Sequence, residues 1–369
     1  MSHSVDLWSS VELGAFLRGL VRGLGDAGFQ ARHRFAVTED RYRAAKGRWG
    51  RARVRWSSYV SYPWHLRRQL RGEKAPDAVV VCTNTFYAPA IAMQAAGGRA
   101  PVINWVFDLF PDVLVAGGKV AAGGLVESRL GDLTRATFRR AAANVFLGDR
   151  LRRYAEDRYG PIPRSHVIPV GADEDGFGSA FPGARAAGEP LSVLYCGNLG
   201  RMHDTATIAS VLQQPGAGSW RVDFRGHGAG FRELAASPVD GRATFGGTLP
   251  DQAWVRAMRA ADVALVTMKP GAEGLVMPSK TYSAMMAGQA ILAVCPLESD
   301  LADTVRQDDA GWVVAPGDAD GLRAILAAAA ADPAQVLAKR LNAFRAARRR
   351  YHPRIIAARW AELLRSVIG

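Results

Sequence analysis

The most constraining feature of this chain is a rhythm. Short apolar, β-branched runs alternate with longer segments of helical period, and the alternation pauses at a stretch rich in Gly, Ala, Asp and Pro, residues 171–190, before starting again. Such alternation builds βα units around parallel sheets. Candidate strands lie at residues 30–35, 53–60, 78–83, 101–106, 144–147 and 166–170 in the first half, and at 191–196, 220–225, 243–245, 263–267, 290–294 and 311–314 in the second. Helical patterns fill the gaps, notably at 251–261 and 280–287, and a last helical stretch from 332 is interrupted by Pro353. A chain of 369 residues is too long for one ordinary hydrophobic core. The expectation is an α/β protein of two lobes, each a parallel sheet with flanking helices, 1–172 and 191–345, with a linker at 173–190 and a C-terminal helix, 346–369, that packs back on the first lobe. The opening departs from this pattern. An amphipathic helix at 11–27 comes almost at once, so the first strand is expected to be very short, within 4–8, or missing.

Composition excludes several classes. A hydrophobic fraction of 49% with 22% charged residues is that of a globular protein, not a disordered one. No apolar run approaches the length of a membrane-spanning helix; the run 324–331 is closed by Arg323 and Asp332. The first ten residues lack a basic start followed by an apolar stretch, so no secretory signal and a cytoplasmic location are expected. Cys82, Cys196 and Cys295 are scattered, each inside a strand-like run, and read as buried free thiols. The formal charge of +13 suits phosphate-bearing partners in general and does not choose among them.

Two segments carry chemistry. In residues 191–204 (LSVLYCGNLGRMHD) a buried strand runs into Gly197, Asn198 and Gly200 and then into a helix. Glycines permit close backbone approach, backbone N–H groups at a helix start hold phosphate oxygens, and Arg201 adds charge; plain sheet architecture makes the same pattern. In residues 273–288 (EGLVMPSKTYSAMMAG) Pro278 suits a first helical turn, Ser279 is a candidate cap, and Lys280 stands where a diphosphate is attracted. Glu273, in the loop before, is either an acceptor for sugar hydroxyls or an exposed loop acid. His203, next to Asp204, has no partner at ligand spacing, so no protein-held metal is expected. No strand precedes a GxGxxG with a matching acid, which disfavours a nicotinamide cofactor.

These residues carry a resemblance. GNLGRMHD, then TLPDQAWVRAMRAADVALVTMKPGAEGLVMPSKTYSAMMAGQAILAV, then AGWVVAPGDADGL, together covering nearly all of 191–331, resemble the donor lobe of retaining glycosyltransferases of the two-Rossmann (GT-B) architecture, family 4 and its Pro-Ser-Lys subgroup in particular. The resemblance implies two lobes facing each other across a cleft, the first for the acceptor and the second for a nucleotide-sugar donor, with no cofactor. It places Gly197 to Arg201 at the donor's diphosphate, with Arg201 and Lys280 as the basic pair on the leaving nucleotide. It also places His227 and Gly228 near the nucleotide, Thr248 in the loop beside the base, and Glu273 and Gly274 at the transferred sugar. Many relatives carry a second glutamate, for the ribose, at the position occupied here by Ser283. In the first lobe, residues 101–112 (PVINWVFDLFPD) are similar to a family segment that presents a His-Asp or Arg-Asp pair past a strand end. Asp108 matches the acid, Phe107 stands where the basic partner would be, and Asp108 is therefore either a catalytic or acceptor-orienting group or a turn cap.

Residues 41–71 mix ten Arg and Lys with Trp49, Trp56, Tyr59, Tyr62 and Trp64. The pattern suits docking on an anionic membrane surface or holding nucleic acid, although it carries no recognised nucleic-acid motif, and a solvated basic face with some core aromatics makes the same pattern. The cluster 345–350 reads the same way. The expected activity is transfer of a sugar from a nucleoside-diphosphate sugar to a glycan or lipid-linked hydroxyl, with retention, in surface polysaccharide or glycoconjugate synthesis. The rivals are a sugar-nucleotide epimerase of the same fold and a catalytically weakened sugar-nucleotide-binding protein.

Overall fold

A computed structural model describes every residue except 1, 46, 73–74, 173–175, 187, 215–217 and 238–239; the side chains of 15 and 43 also lie outside it. The expected linker falls partly on these residues. The chain separates into two compact units. The first comprises Met1–Val170, Gly274–Val276 and Pro353–Gly369, and the second Gly171–Glu273 and Met277–His352.

Among the described residues of the first unit six parallel strands, β1 (Ser4–Val11), β2 (Gln30–Val37), β3 (Ala78–Cys82), β4 (Val102–Val106), β5 (Ala143–Phe146) and β6 (Ser165–Val167), lie in the order β2-β1-β3-β4-β5-β6. Two expectations are corrected here. The first strand is neither missing nor very short: β1 has eight residues and pairs on both sides. Its sequence, SVDLWSSV, hid it, because Asp6, Ser9 and Ser10 do not read as a buried run. Partners on β2, on β1 itself and just past β3 meet much of this polarity. Asp6 accepts from Arg32 at 2.9 Å and Arg34 at 3.3 Å, Ser9 Oγ donates to Val11 O and meets His33 Nε2, and Ser10 N–H donates to Asn84.

The second correction is at 53–60, where alternation of Arg and apolar residues suggested a strand. The chain is helical there instead, through Gly47–Trp56, a π-helical turn Ser57–Ser61 and Tyr62–Arg71. The cause lies downstream. Tyr62, Leu66 and Leu70 repeat every four residues and pack with Trp8, Val79 and Val81, so that this helical face, and not a period of two, is buried. The C-terminal helix Pro353–Ile368 joins the same unit: Trp360 is fully buried 4.8 Å from Trp105, and Arg365 donates to Ala27 O at the end of the helix Gly14–Asp26.

In the second unit β7 (Leu191–Asn198), β8 (Trp220–His227), β9 (Ala243–Gly246), β10 (Val263–Thr267), β11 (Ala290–Val294) and β12 (Gly311–Val314) form a parallel sheet in the order β12-β11-β10-β7-β8-β9. Its core is one aliphatic and aromatic cluster that includes Val193, Tyr195, Val222, Phe224, Leu265 and Leu292. A buried ion pair ties the lower end of the sheet. Asp262, just before β10, accepts from Arg340 at 3.0 Å and from Ser192 N–H at 3.1 Å, while Arg340 also donates to Gly288 O. Removing one partner would leave the other charge buried and unpaired. The strand order reverses between β7 and β10, and in open α/β sheets the crevice outside the carboxyl ends at such a switch point is where ligands bind.

Candidate functional site

The end of β7 meets this condition. β7 and β8 stay paired to their last residues, Gly197 opposite Gly226 and Asn198 opposite His227, and Leu199 N–H then donates to His227 O at 2.8 Å. The backbones are so close that a Cβ on Gly226 would overlap Gly197 O, and one on Gly228, whose φ is +124°, would overlap Leu199 O. Glycine is the residue these positions admit. The chain then turns through Gly200 and exposed Arg201, whose side chain makes no hydrogen bond among the described residues.

Across the switch point, His203 closes the turn. Its Nδ1 lies 2.8 Å from Thr267 O at the end of β10 and 3.2 Å from Thr267 Oγ1. A carbonyl only accepts, so Nδ1 carries the proton. Burial and the nearby Lys280 ammonium push His203 down to about 4, which leaves it neutral. Lys269 N–H donates to Met202 O and fastens the same turn to the loop after β10.

Lys280 opens the helix Lys280–Met286 and is half-buried, its ammonium turned onto the Tyr195 side chain. Nζ donates to Tyr195 Oη at 2.6 Å and lies 3.9 Å from that ring's centroid. Tyr195 Oη in turn donates to Asn198 O at 2.9 Å. Lys280 has no carboxylate partner among the described residues, and burial lowers its pKa to about 7. A half-buried cation without a counter-ion is costly and is satisfied by an anion. Glu273 presents the complementary case, since its Oε2 is buried with no hydrogen-bond partner among the described residues and needs a donor. Ser279 stands at the N-cap of the Lys280 helix, but its hydroxyl makes no capping bond, so the expected cap is not formed.

The remaining residues are distributed as follows. Thr248 Oγ1 is 3.4 Å from His227 Nδ1, which joins those two positions at the ends of β8 and β9. Ser283 is half-buried on the Lys280 helix. Gly274 belongs to the first unit, where a Cβ would come within 2.5 Å of the Tyr154 ring. Asp108 also belongs to the first unit, past the end of β4. Its loop is pinned by Thr83, whose hydroxyl donates to Asp108 O at 3.0 Å and accepts from Phe107 N–H at 3.0 Å. Burial raises the Asp108 carboxyl to about 6. It lines a small pocket with Thr83, Asn104, Phe110 and Thr137.

Sequence reasoning missed Tyr195, which reads as a core aromatic and is one, yet holds Lys280. It also missed Asp112, buried under Tyr159 and Tyr154 hydroxyls and Arg158, which anchors the segment that follows Asp108.

Comparison with known proteins bears on the fold that carries this site. Residues 13–171 match the family model described as the glycosyl transferase 4-like domain. A probable glycosyltransferase, WbjE of Pseudomonas aeruginosa, is 27% identical over 226 residues, spanning 58% of this chain and 56% of that protein. Among solved structures, sucrose-phosphate synthase from Thermosynechococcus elongatus aligns over 99% of both chains with a TM-score of 0.73 at 15% identity. HepE of Anabaena, solved with UDP and glucose, aligns over 99% of this chain and 100% of its own with a TM-score of 0.70 at 14% identity. WaaG, a glycosyltransferase involved in lipopolysaccharide biosynthesis, aligns over 98% of this chain and 99% of its own with a TM-score of 0.64 at 14% identity. Residues 13–171 are thus similar to the glycosyl transferase 4-like domain, and the whole chain has the two-sheet, Rossmann-like GT-B fold of these solved structures.

Proposed function

We propose that this protein is a retaining glycosyltransferase that moves a sugar from a nucleoside-diphosphate donor to a hydroxyl acceptor. The observation that carries the reading is the half-buried, unpaired Lys280 ammonium beside the glycine-lined ends of β7 and β8, at the switch point of a parallel sheet. In this reading Lys280, Arg201 and the backbone around Gly197, Asn198 and Gly200 receive the diphosphate. His227, Gly228 and Thr248 border the nucleotide, and Ser283 meets the ribose. Ser279 lies beside the diphosphate. The unpaired oxygen of Glu273 accepts from a sugar hydroxyl, next to Gly274.

As the bond to the anomeric carbon breaks, charge grows on the leaving diphosphate, and preorganised cations stabilise that charge more than they stabilise the ground state. The leaving phosphate takes the acceptor's proton. Asp108 of the other unit orients the acceptor. No protein-held metal or cofactor is assigned. The acceptor class we favour is a glycan or lipid-linked hydroxyl in surface polysaccharide or glycoconjugate synthesis. Such an enzyme would be cytoplasmic and work against an anionic membrane surface; no helix among the described residues is long and apolar enough to cross a membrane.

Incubating the protein with a sugar nucleotide, with and without acceptor, separates this reading from its rivals. A transferase builds product with the anomeric configuration of the donor only when acceptor is present. Release of nucleotide and an epimerised sugar without acceptor would establish the epimerase instead, and tight binding without turnover on any acceptor would establish the binding protein.

A further inference from the structure

Residues 41–71 contain ten Lys and Arg and no Asp or Glu. Their fold now gives this charge a direction. The helix Tyr62–Arg71 is anchored, with Tyr62, Pro63, Leu66 and Leu70 buried, whereas the helix Gly47–Trp56 buries nothing. It rests chiefly on its neighbours in sequence, Glu39–Ala44 and Ser57–Ser61. At 100° per residue Gly50 and Val54, its half-covered positions, share one face. Trp49 and Trp56, seven residues apart with Ala52 between them, share another that is turned away. Trp49 is 89% exposed and Trp56 65% exposed. Arg48, Arg51 and Arg55 flank this stripe on one side and Arg53 on the other. Trp64, 55% exposed on the next helix, lies under the Arg68 guanidinium, and Tyr59 and Val60 are exposed between the two helices.

A helix that turns its tryptophans away from its own core needs a partner to cover them. The arrangement chooses among partners. Single-stranded nucleic acid is held in a groove that tracks its backbone, with bases stacked on aromatic platforms. Here the aromatic stripe is the crest of a helix with no buried residue, which is convex. Tryptophans on one face with arginines at its margins match the boundary between lipid headgroups and acyl chains.

We propose that the helix Gly47–Trp56 lies in the interface of an anionic lipid bilayer, with Trp49 and Trp56 among the headgroups and Arg48, Arg51, Arg53 and Arg55 on the lipid phosphates. The inference rests on the lipid-linked acceptor reading for its purpose, and its test uses no sugar nucleotide, so that each can fail alone.

The full chain is mixed with vesicles of phosphatidylcholine alone and with vesicles in which phosphatidylglycerol has been added, and bound protein is measured by sedimentation across a salt series. The expected result is binding to the anionic vesicles only, fading as salt rises. Trp49→Ala with Trp56→Ala lowers it by at least about tenfold, and Arg48→Gln, Arg51→Gln and Arg55→Gln together lower it by about a hundredfold. Both variants should melt like the parent, because none of these side chains is buried. Absence of binding at low salt, or an unchanged affinity in the tryptophan variant, would overturn the proposal. So would a single-stranded oligonucleotide that displaces the protein from the vesicles and loses affinity in the same two variants.

Discussion

The charged form of Lys280 carries a cost, since burial brings its pKa to about 7 and leaves it about half protonated near neutrality. A bound diphosphate would offset that cost and raise the pKa. Above about pH 7, therefore, donor binding takes up a proton, and donor affinity should fall as pH rises, approaching about tenfold per unit. The facing groups do not supply this slope: His203 is neutral, and burial raises the Tyr195 and Cys196 pKa values. Calorimetry in buffers of different ionisation enthalpy reads the proton directly. Lys280→Arg should bind the donor with no such slope, because guanidinium stays charged. Lys280→Ala and Arg201→Ala should each lower turnover by at least about tenfold and combine less than additively. Asp108 has the opposite sign. Its folded pKa, about 6, lies above the ordinary carboxylate value of 3.8, so its contribution to stability is present below pH 3.8 and lost as pH rises through 6. Asp108→Asn should stabilise its unit by about 1 to 2 kcal/mol near pH 7.5, and not below about pH 4, while slowing transfer and sparing donor affinity. A lower melting temperature at pH 7.5 would contradict the assignment.

The elements were unequally legible. The buried strands β3, β4, β10 and β11 read directly from runs such as AVVVC and AILAV, because strands covered on both faces are continuously apolar. β1 escaped because its polar residues are satisfied by Arg32, Arg34, His33 and Asn84, partners that only tertiary structure supplies. The Arg–apolar alternation at 53–60 points to a strand but is too short to decide the fold against the helical repeat of Tyr62, Leu66 and Leu70 just downstream, whose face is the one buried. At the site, the glycines and Lys280 were visible as motif residues, but the Tyr195 hydroxyl that holds Lys280 is invisible in a sequence that makes Tyr195 look like any core aromatic. Packing of the C-terminal helix gives a test at this scale. Gly23 faces Ala357, and a Cβ there would come within 2.5 Å of the Ala357 methyl. Gly23→Ala should cost about 1 to 3 kcal/mol by thermal melting, and Trp360→Ala about 3 to 5 kcal/mol through the cavity beside Trp105. A Gly23→Ala variant as stable as the parent would show that the two helices do not pack as described.

For the whole molecule, two parallel sheets divide the proposed labour, with nucleotide chemistry at the strand ends of the second unit and acceptor chemistry in the first. The central claim is that the second unit binds a nucleoside-diphosphate sugar through Lys280. The most direct test is thermal unfolding of the full chain with UDP-, GDP- and TDP-sugars, in parallel with Lys280→Ala, since a ligand that binds only the native state raises its apparent stability by about 2.7 kcal/mol at a hundred times Kd. The account predicts that at least one of these sugars raises the melting temperature of the parent and that the shift largely disappears in Lys280→Ala. No shift with any sugar nucleotide, or a shift of equal size in Lys280→Ala, would contradict it.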